Sequence, residues 1–167
     1  GGMRQRVCIA MALINNPEII IADEPTTALD VTVQAQILNI LNSLRKERKL
    51  SILFISHDFG VISQLCDRVI VMYAGSIVEE GPVKNIMQQA AHPYTSELIK
   101  CVPQLGNKEH ALHSIPGNPP SLNQLPEGCA FANRCQYKQD QCLKGSVPVS
   151  SKDNRSYKCF YPVGGTA

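Results

Sequence analysis

The 167-residue chain is long enough for one domain with a real core, or for one small domain plus an appendage. Its 16 basic and 14 acidic residues leave a net charge of +2, which gives no warrant for a nucleic-acid partner or a polybasic membrane anchor. No apolar run approaches the roughly 20 residues of a membrane-spanning helix, so a soluble chain is expected, with any membrane role coming through a partner.

The opening "GGMRQRV" lacks the basic stretch followed by an apolar one that marks a signal peptide. Seven cysteines, an odd number, argue against a secreted disulfide framework. Residues 3–14 place Val7, Ala10, Met11 and Ile14 on one helical face before "NNP" ends the pattern. "EIIIADEP" follows as a continuous apolar run of strand length, suited to a strand buried on both faces of a parallel sheet. After the polar "TTALDVT", residues Val33, Ile37, Ile40, Leu41 and Leu44 fall at helical spacing, predicting an amphipathic helix of about four turns. "SILFISH" at 51–57 reads as a second buried strand, completing a crossover unit of right hand.

"DFGVISQLCD" is a short helix with Ser56 or Asp58 near its start. "RVIVMYAGSIVEEG" holds two β-rich runs around Ala74-Gly75 and predicts a hairpin at the sheet edge. Two helices are then entered through Pro82 and Pro93. After Val102 a stretch rich in Pro, Gly and Asn predicts surface winding, and from Cys129 four cysteines punctuate a loop-rich tail. Cys8, Cys66 and Cys101 sit in helical patterns as buried inert thiols; His110 and His113 are expected to be exposed.

The acids of "IIIADEP" carry the first chemical signal. A carboxylate ending a parallel strand lies at the carboxyl edge of the sheet, where open α/β folds bind ligands. Asp23 there could hold magnesium, and Glu24 could polarise an attacking water. The plainer alternative is a capped strand end with Glu24 in solvent. His57 ends the neighbouring strand and could donate to a phosphate, although a lone histidine is more often structural. Asp30 reads by default as a helix cap. "GGMRQR" offers bare N–H groups at a helix N-terminus, suited to an anion, unless it is a tag remnant.

Together these residues resemble the ATPase subunits of ABC transporters. "GGMRQR" looks like the latter part of the signature motif, "IIIADEP" like the Walker B strand, "TALD" like the D-loop and "SHD" like the switch histidine, in order along residues 1–82. The resemblance implies the C-terminal part of a P-loop α/β parallel sheet with flanking helices, and ATP and Mg²⁺ as ligands. Asp23 would bind Mg²⁺, Glu24 would orient the hydrolytic water and His57 would contact the γ-phosphate. Asp30 would reach across to a second ATPase subunit, and Gly1 and Gly2 would face the γ-phosphate held by that subunit. Met3 stands where the family at large has glutamine, a variant seen in peptide and nickel importers.

No Gly in the chain is followed by Lys, so the G-x-x-x-x-G-K-[ST] phosphate cradle is not found in it. The resemblance further implies that the cradle's strand separates the Walker B strand from the switch-histidine strand. A fragment is therefore expected, unable alone to bind or hydrolyse ATP, with unpaired inner strands.

"HPYTSELI" at 92–99, "PGNPPSL" at 116–122 and "PEGCAFANRCQYKQDQC" at 126–142 resemble the C-terminal extension of oligopeptide and dipeptide importers' ATPase subunits. The implied division is a partial nucleotide-binding domain at 1–102 and the extension at 103–167. In that family the four tail cysteines, Cys129, Cys135, Cys142 and Cys159, can ligate a [4Fe–4S] cluster. Their spacing alone supports only some metal, with zinc, reduced thiols and disulfides as alternatives. His92 and Tyr94 form a structural corner.

The reading is an ATP-hydrolysing energy-coupling subunit of an importer for short peptides, at the cytoplasmic face of the inner or plasma membrane. Implied partners are a second ATPase subunit, transmembrane permease subunits and, indirectly, an extracytoplasmic binding protein; nucleic acid is not one. Nickel or another small solute is the alternative cargo. A metal-binding interaction module with relic ATPase motifs is the alternative class.

Overall fold

The computed structural model describes residues 1–102 and 114–164. His110 and His113 lie outside the described residues, as does most of the stretch expected to wind over the surface. By compactness the chain divides into two units, Gly1–Leu65 and Cys66–Ala167. The motif reading divides it at 102 instead.

In the first unit α1 (Gly2–Leu13) starts from Gly1 and β1 (Ile19–Asp23) follows the predicted strand. The helix α2 (Val31–Arg48) runs 18 residues, about one turn longer than expected. The Asp30 carboxylate accepts from the Val33 N–H at 2.9 Å, satisfying one of the four donors a helix start leaves free. At the other end Lys49 adopts a left-handed conformation (φ 53°), and Arg45, Lys46 and Arg48 sit where the helix dipole favours cations. β2 (Ser51–Ile55) pairs parallel to β1, Ile19 opposite Ser51 and Asp23 opposite Ile55. The expectation of unpaired inner strands is corrected for this pair: β1 and β2 are direct hydrogen-bonded neighbours. α3 (Phe59–Leu65) closes the unit, with Asp58 Oδ1 accepting from Gly60 N at 2.8 Å.

Burial on both faces of β1 is not met within this unit. Ile20 and Ala22 are buried with Ile37 and Leu41 of α2, whereas Ile19 and Ile21 stand 64% and 67% exposed. Leu53 and Ile55 of β2 share that exposed face. The period of two turns alternate side chains to opposite faces, and among the described residues of this unit only one face gains a cover. Val7 and Met11 of α1 and Ile14 just after it are exposed as well, and so is Cys8, against the expected buried thiol.

In the second unit β3 (Arg68–Tyr73) and β4 (Ser76–Pro82) form the predicted hairpin. Ala74 and Gly75 both take positive φ (47° and 78°), the backbone of a type I′ turn that matches strand twist. The hairpin is not the edge of the β1–β2 sheet. It belongs to a separate four-stranded sheet of order β3-β4-β6-β5, with β5 (Val149–Lys152) and β6 (Arg155–Lys158) turning through Asp153 and Asn154 at positive φ. These tail strands were not expected from the sequence, because "VSSK" and "RSYK" are too polar and too short to show a strand period. Gly81 lets β6 approach, since a Cβ there would meet Arg155 Cγ at 2.7 Å.

Two helices complete the unit. α4 (Val83–Gln89) is entered through Pro82, and α5 (Pro93–Lys100) carries Pro93 in its first turn as predicted. Cys101 follows α5 and is exposed, correcting its expected burial; Cys66 is intermediate. The Glu79 carboxylate is fully buried and accepts from Ala91 N and His92 N at 2.8 and 2.9 Å. Arg155 Nη1 lies 3.9 Å away from it, also buried. Tyr73, Tyr94 and Phe131 pack edge-on or tilted at ring distances of 4.7–5.3 Å. Arg134 holds the 115–116 carbonyls at 2.8 and 2.9 Å, which pins the proline-rich stretch at its described end.

Candidate functional site

The parallel register of β1 and β2 sends both strand ends to one edge. Asp23 is opposite Ile55, and Glu24 continues the ladder through its N–H to the Ile55 carbonyl at 2.9 Å. His57 lies two residues beyond Ile55. Its Nδ1 stands 3.0 Å from Glu24 Oε1, and because an ionised carboxylate only accepts, that nitrogen carries the donated proton. Glu24 and His57 therefore meet, with Asp23 ending β1 at the same edge.

Glu24 sits at φ 44°, a left-handed backbone that a non-glycine residue adopts at a cost of about 1–3 kcal/mol. A turn fixes it there: the Thr27 N–H bonds the Glu24 carbonyl at 3.1 Å, and Thr27 Oγ1 donates to Glu24 Oε2 at 2.6 Å. Thr27 was missed in the sequence, where a hydroxyl three residues after an acid was the only signal. Both carboxylate oxygens are thus engaged. Thr27 first and His57 second hold the Glu24 carboxyl below its ordinary range, and Glu24 raises the His57 imidazole above its own.

Asp30 is found as the α2 cap, the default reading. Gly1 and Gly2 begin α1 as expected, and they also have a packing reason. A Cβ on Gly1 would meet Leu29 Cδ2 at 2.8 Å, and one on Gly2 would meet Val33 Cγ1 at 2.5 Å, so bare backbone lets the helix start close on the Asp30 loop.

A second constellation lies in the tail. Cys129, Cys135, Cys142 and Cys159 all line one pocket, together with His92 and Phe131. Backbone N–H groups point at three of the sulfurs: those of Phe131 and Ala132 at Cys129, of Tyr137 at Cys135 and of Tyr161 at Cys159. Burial nevertheless pushes these three thiols up, Cys159 to about 12, and the neighbouring sulfurs add to the effect. The Cys129 N–H bonds the Cys142 carbonyl at 2.8 Å, and Gly128 makes that approach possible, since a Cβ there would collide with the Cys142 carbonyl oxygen.

Among the described residues no three His, Cys, Asp or Glu side chains are arranged to share a single metal ion. A four-iron cluster sets each thiolate on a different iron and does not require that arrangement. The pocket that the four cysteines line has about 20 Å³ of open space, room for about one water and too little for a four-iron cluster as it stands.

Residues 78–142 match the family described as "Oligopeptide/dipeptide transporter, C-terminal region", and residues 1–27 match "ABC transporter". In these two segments the chain is similar to the oligopeptide/dipeptide branch of the ABC transporter family. It is 48% identical over 163 residues to the oligopeptide transport ATP-binding protein OppD of Salmonella typhimurium, covering 98% of this chain and 49% of that one. To the protein of the same name from Haemophilus influenzae it is 55% identical over 143 residues, covering 85% and 44%. A solved dimeric ATP-binding cassette with ADP and phosphate bound aligns at a TM-score of 0.45 and 38% identity, over 49% of this chain and 35% of that one. The chain spans about half the length of the curated relatives of this family that it matches. Among the described residues no helix is long and apolar enough to cross a membrane.

Proposed function

We propose that the protein carrying this chain is the ATP-hydrolysing subunit of an importer of short peptides. The observation that supports this most directly is the convergence of Asp23, Glu24 and His57 at one strand edge, with Glu24 and His57 in contact at 3.0 Å. Water attacks the γ-phosphorus of ATP, Glu24 takes its proton, and the bond to the β,γ-bridging oxygen breaks to release ADP. His57 orients the carboxylate and holds the γ-phosphate. Asp23, exposed at the strand end, would hold Mg²⁺, which when bound offsets the negative charge of the phosphates.

Gly1 and Gly2 at the start of α1, with Asp30 beside them, would face a nucleotide held by a second ATPase subunit. In this reading residues 1–102 belong to the nucleotide-binding domain and 103–167 to the extension. The relatives' names support peptides as cargo, with nickel or another small solute as the alternative. Permease subunits would hold the protein at the cytoplasmic face of the membrane, and an extracytoplasmic binding protein would choose the cargo.

The test is ATP turnover by the full-length polypeptide assembled with its permease in vesicles. Glu24→Gln should lower turnover at least about 100-fold while nucleotide still binds. Unchanged turnover in that variant would remove Glu24 from the reaction.

A second reading concerns the tail. Four thiols on one pocket, three of them already receiving backbone N–H groups, support a [4Fe–4S] cluster on Cys129, Cys135, Cys142 and Cys159. When bound it would supply a one-electron redox centre, and the four thiols would give up their protons to bind it. Anaerobic purification with iron and acid-labile sulfide analysis tests this; a colourless protein with one equivalent of zinc would overturn it.

A further inference from the structure

We propose that Thr27 is a positioning residue of the hydrolytic site, its hydroxyl holding the Glu24 carboxylate in the orientation that meets His57 and the attacking water. The inference rests on the reading of Glu24 as the group that takes the water's proton.

Both oxygens of that carboxylate are held from outside. Thr27 Oγ1 donates to Oε2 at 2.6 Å, while His57 Nδ1 stands 3.0 Å from Oε1. One donor comes from the loop that leaves β1 and the other from the residues that follow β2. Among the described residues no other side chain bonds this carboxylate, so without the Thr27 hydroxyl Oε2 is left unheld.

The hydroxyl is itself fixed. The Thr27 N–H bonds the Glu24 carbonyl at 3.1 Å and closes a four-residue turn with Pro25 second, a favoured place for proline. Threonine is β-branched, which restricts its first side-chain torsion. Backbone and side chain of Thr27 therefore return to the same acid.

Glu24 is exposed and needs such a restraint. A glutamate free in solvent samples several rotamers, and few of them aim a lone pair at one point in space. An ionised carboxylate offers about four lone-pair sites, so two bonds still leave one on each oxygen for a water. Accepting a hydrogen bond also makes a carboxylate a weaker base, an effect of opposite sign. Orientation outweighs it, because a displacement of about 1 Å at a reacting group can cost about 100-fold.

The test is ATP turnover by the full-length polypeptide assembled with its permease in vesicles, for Thr27→Val, Thr27→Ser, Glu24→Gln and the combined Thr27→Val and Glu24→Gln variant. Valine matches the shape of threonine and keeps the backbone bond, and the position is exposed, so nucleotide affinity and the unfolding midpoint should stay at wild-type values.

In Thr27→Val the expected result is a kcat about tenfold lower, the scale of one hydrogen bond to a charged group. KM for ATP should not change, and Thr27→Ser should recover most of the rate. Added to Glu24→Gln, the valine should cost nothing further, because Thr27 acts only through the carboxylate. A kcat in Thr27→Val equal to or above wild type, beside a loss in Glu24→Gln, would overturn the positioning role and leave the hydrolytic reading standing. A further tenfold loss on top of Glu24→Gln would also overturn it, since Thr27 would then act elsewhere. Unchanged turnover in Glu24→Gln would defeat the hydrolytic reading itself.

Discussion

Glu24 Oε1 and His57 Nδ1 lie 3.0 Å apart although 33 residues separate them in sequence, because β1 and β2 run parallel and end together. Thr27 first and His57 second hold the carboxyl below its ordinary range, and Glu24 holds the imidazole above its own. The pair therefore favours the folded state fully below the ordinary imidazole value of 6.5 and above the ordinary carboxyl value of 4.5. It is lost as pH rises through the raised His57 value, or falls through the lowered Glu24 value. In an NMR titration of the imidazole, His57 should titrate above 6.5 in the wild type and move back towards it in Glu24→Gln. An unmoved midpoint would show that the contact does not persist in solution.

Asp30 bears on the start of α2. Its carboxylate caps the Val33 N–H, so Asp30→Ala should lower stability by about 1 kcal/mol, and Asp30→Asn by much less. Urea unfolding of the two variants against the wild type separates them. Equal losses would show that charge at the helix dipole, and not the cap hydrogen bond, carries the effect.

Glu79 joins β4, the α4–α5 corner and β6. Glu79→Ala would leave the Ala91 and His92 amides without acceptors and the buried Arg155 guanidinium without its carboxylate, costing about 3–5 kcal/mol. Hydrogen exchange at the Ala91 and His92 amides should speed up by the corresponding factor. Little change in either amide would mean that water replaces the carboxylate readily.

Gly128 sets the distance between two of the cysteine loops. In Gly128→Ala the new methyl would push against the Cys142 and Leu143 backbone and break the Cys129 N–H bond to the Cys142 carbonyl. A loss of about 1–3 kcal/mol is expected, together with lower iron uptake. Normal iron content in this variant would show that the loops reach their ligand geometry without that bond.

Local chemistry made much of this legible from the sequence. The period of 3.6 in "VTVQAQILNILNSL", the apolar runs at 19–22 and 51–55, the positive-φ pair Ala74-Gly75 and the prolines opening α4 and α5 each act over a few residues, and each element is found there. Asp23, Glu24, His57 and the four tail cysteines were likewise readable as chemical groups. Their neighbours were not: the Thr27 clamp depends on a backbone turned to φ 44° at Glu24, which no residue type announces.

What only the tertiary structure decided is who meets whom across long stretches of chain. Direct pairing of β1 with β2, the polar tail strand β6 joining β4, the burial of Glu79 beside Arg155 76 residues later in sequence, and the gathering of four cysteines on one pocket all rest on contacts between distant segments. The physical reason is that periodicity records which face of an element is apolar, while the identity of the partner is fixed only when long-range packing and buried polar groups are satisfied together.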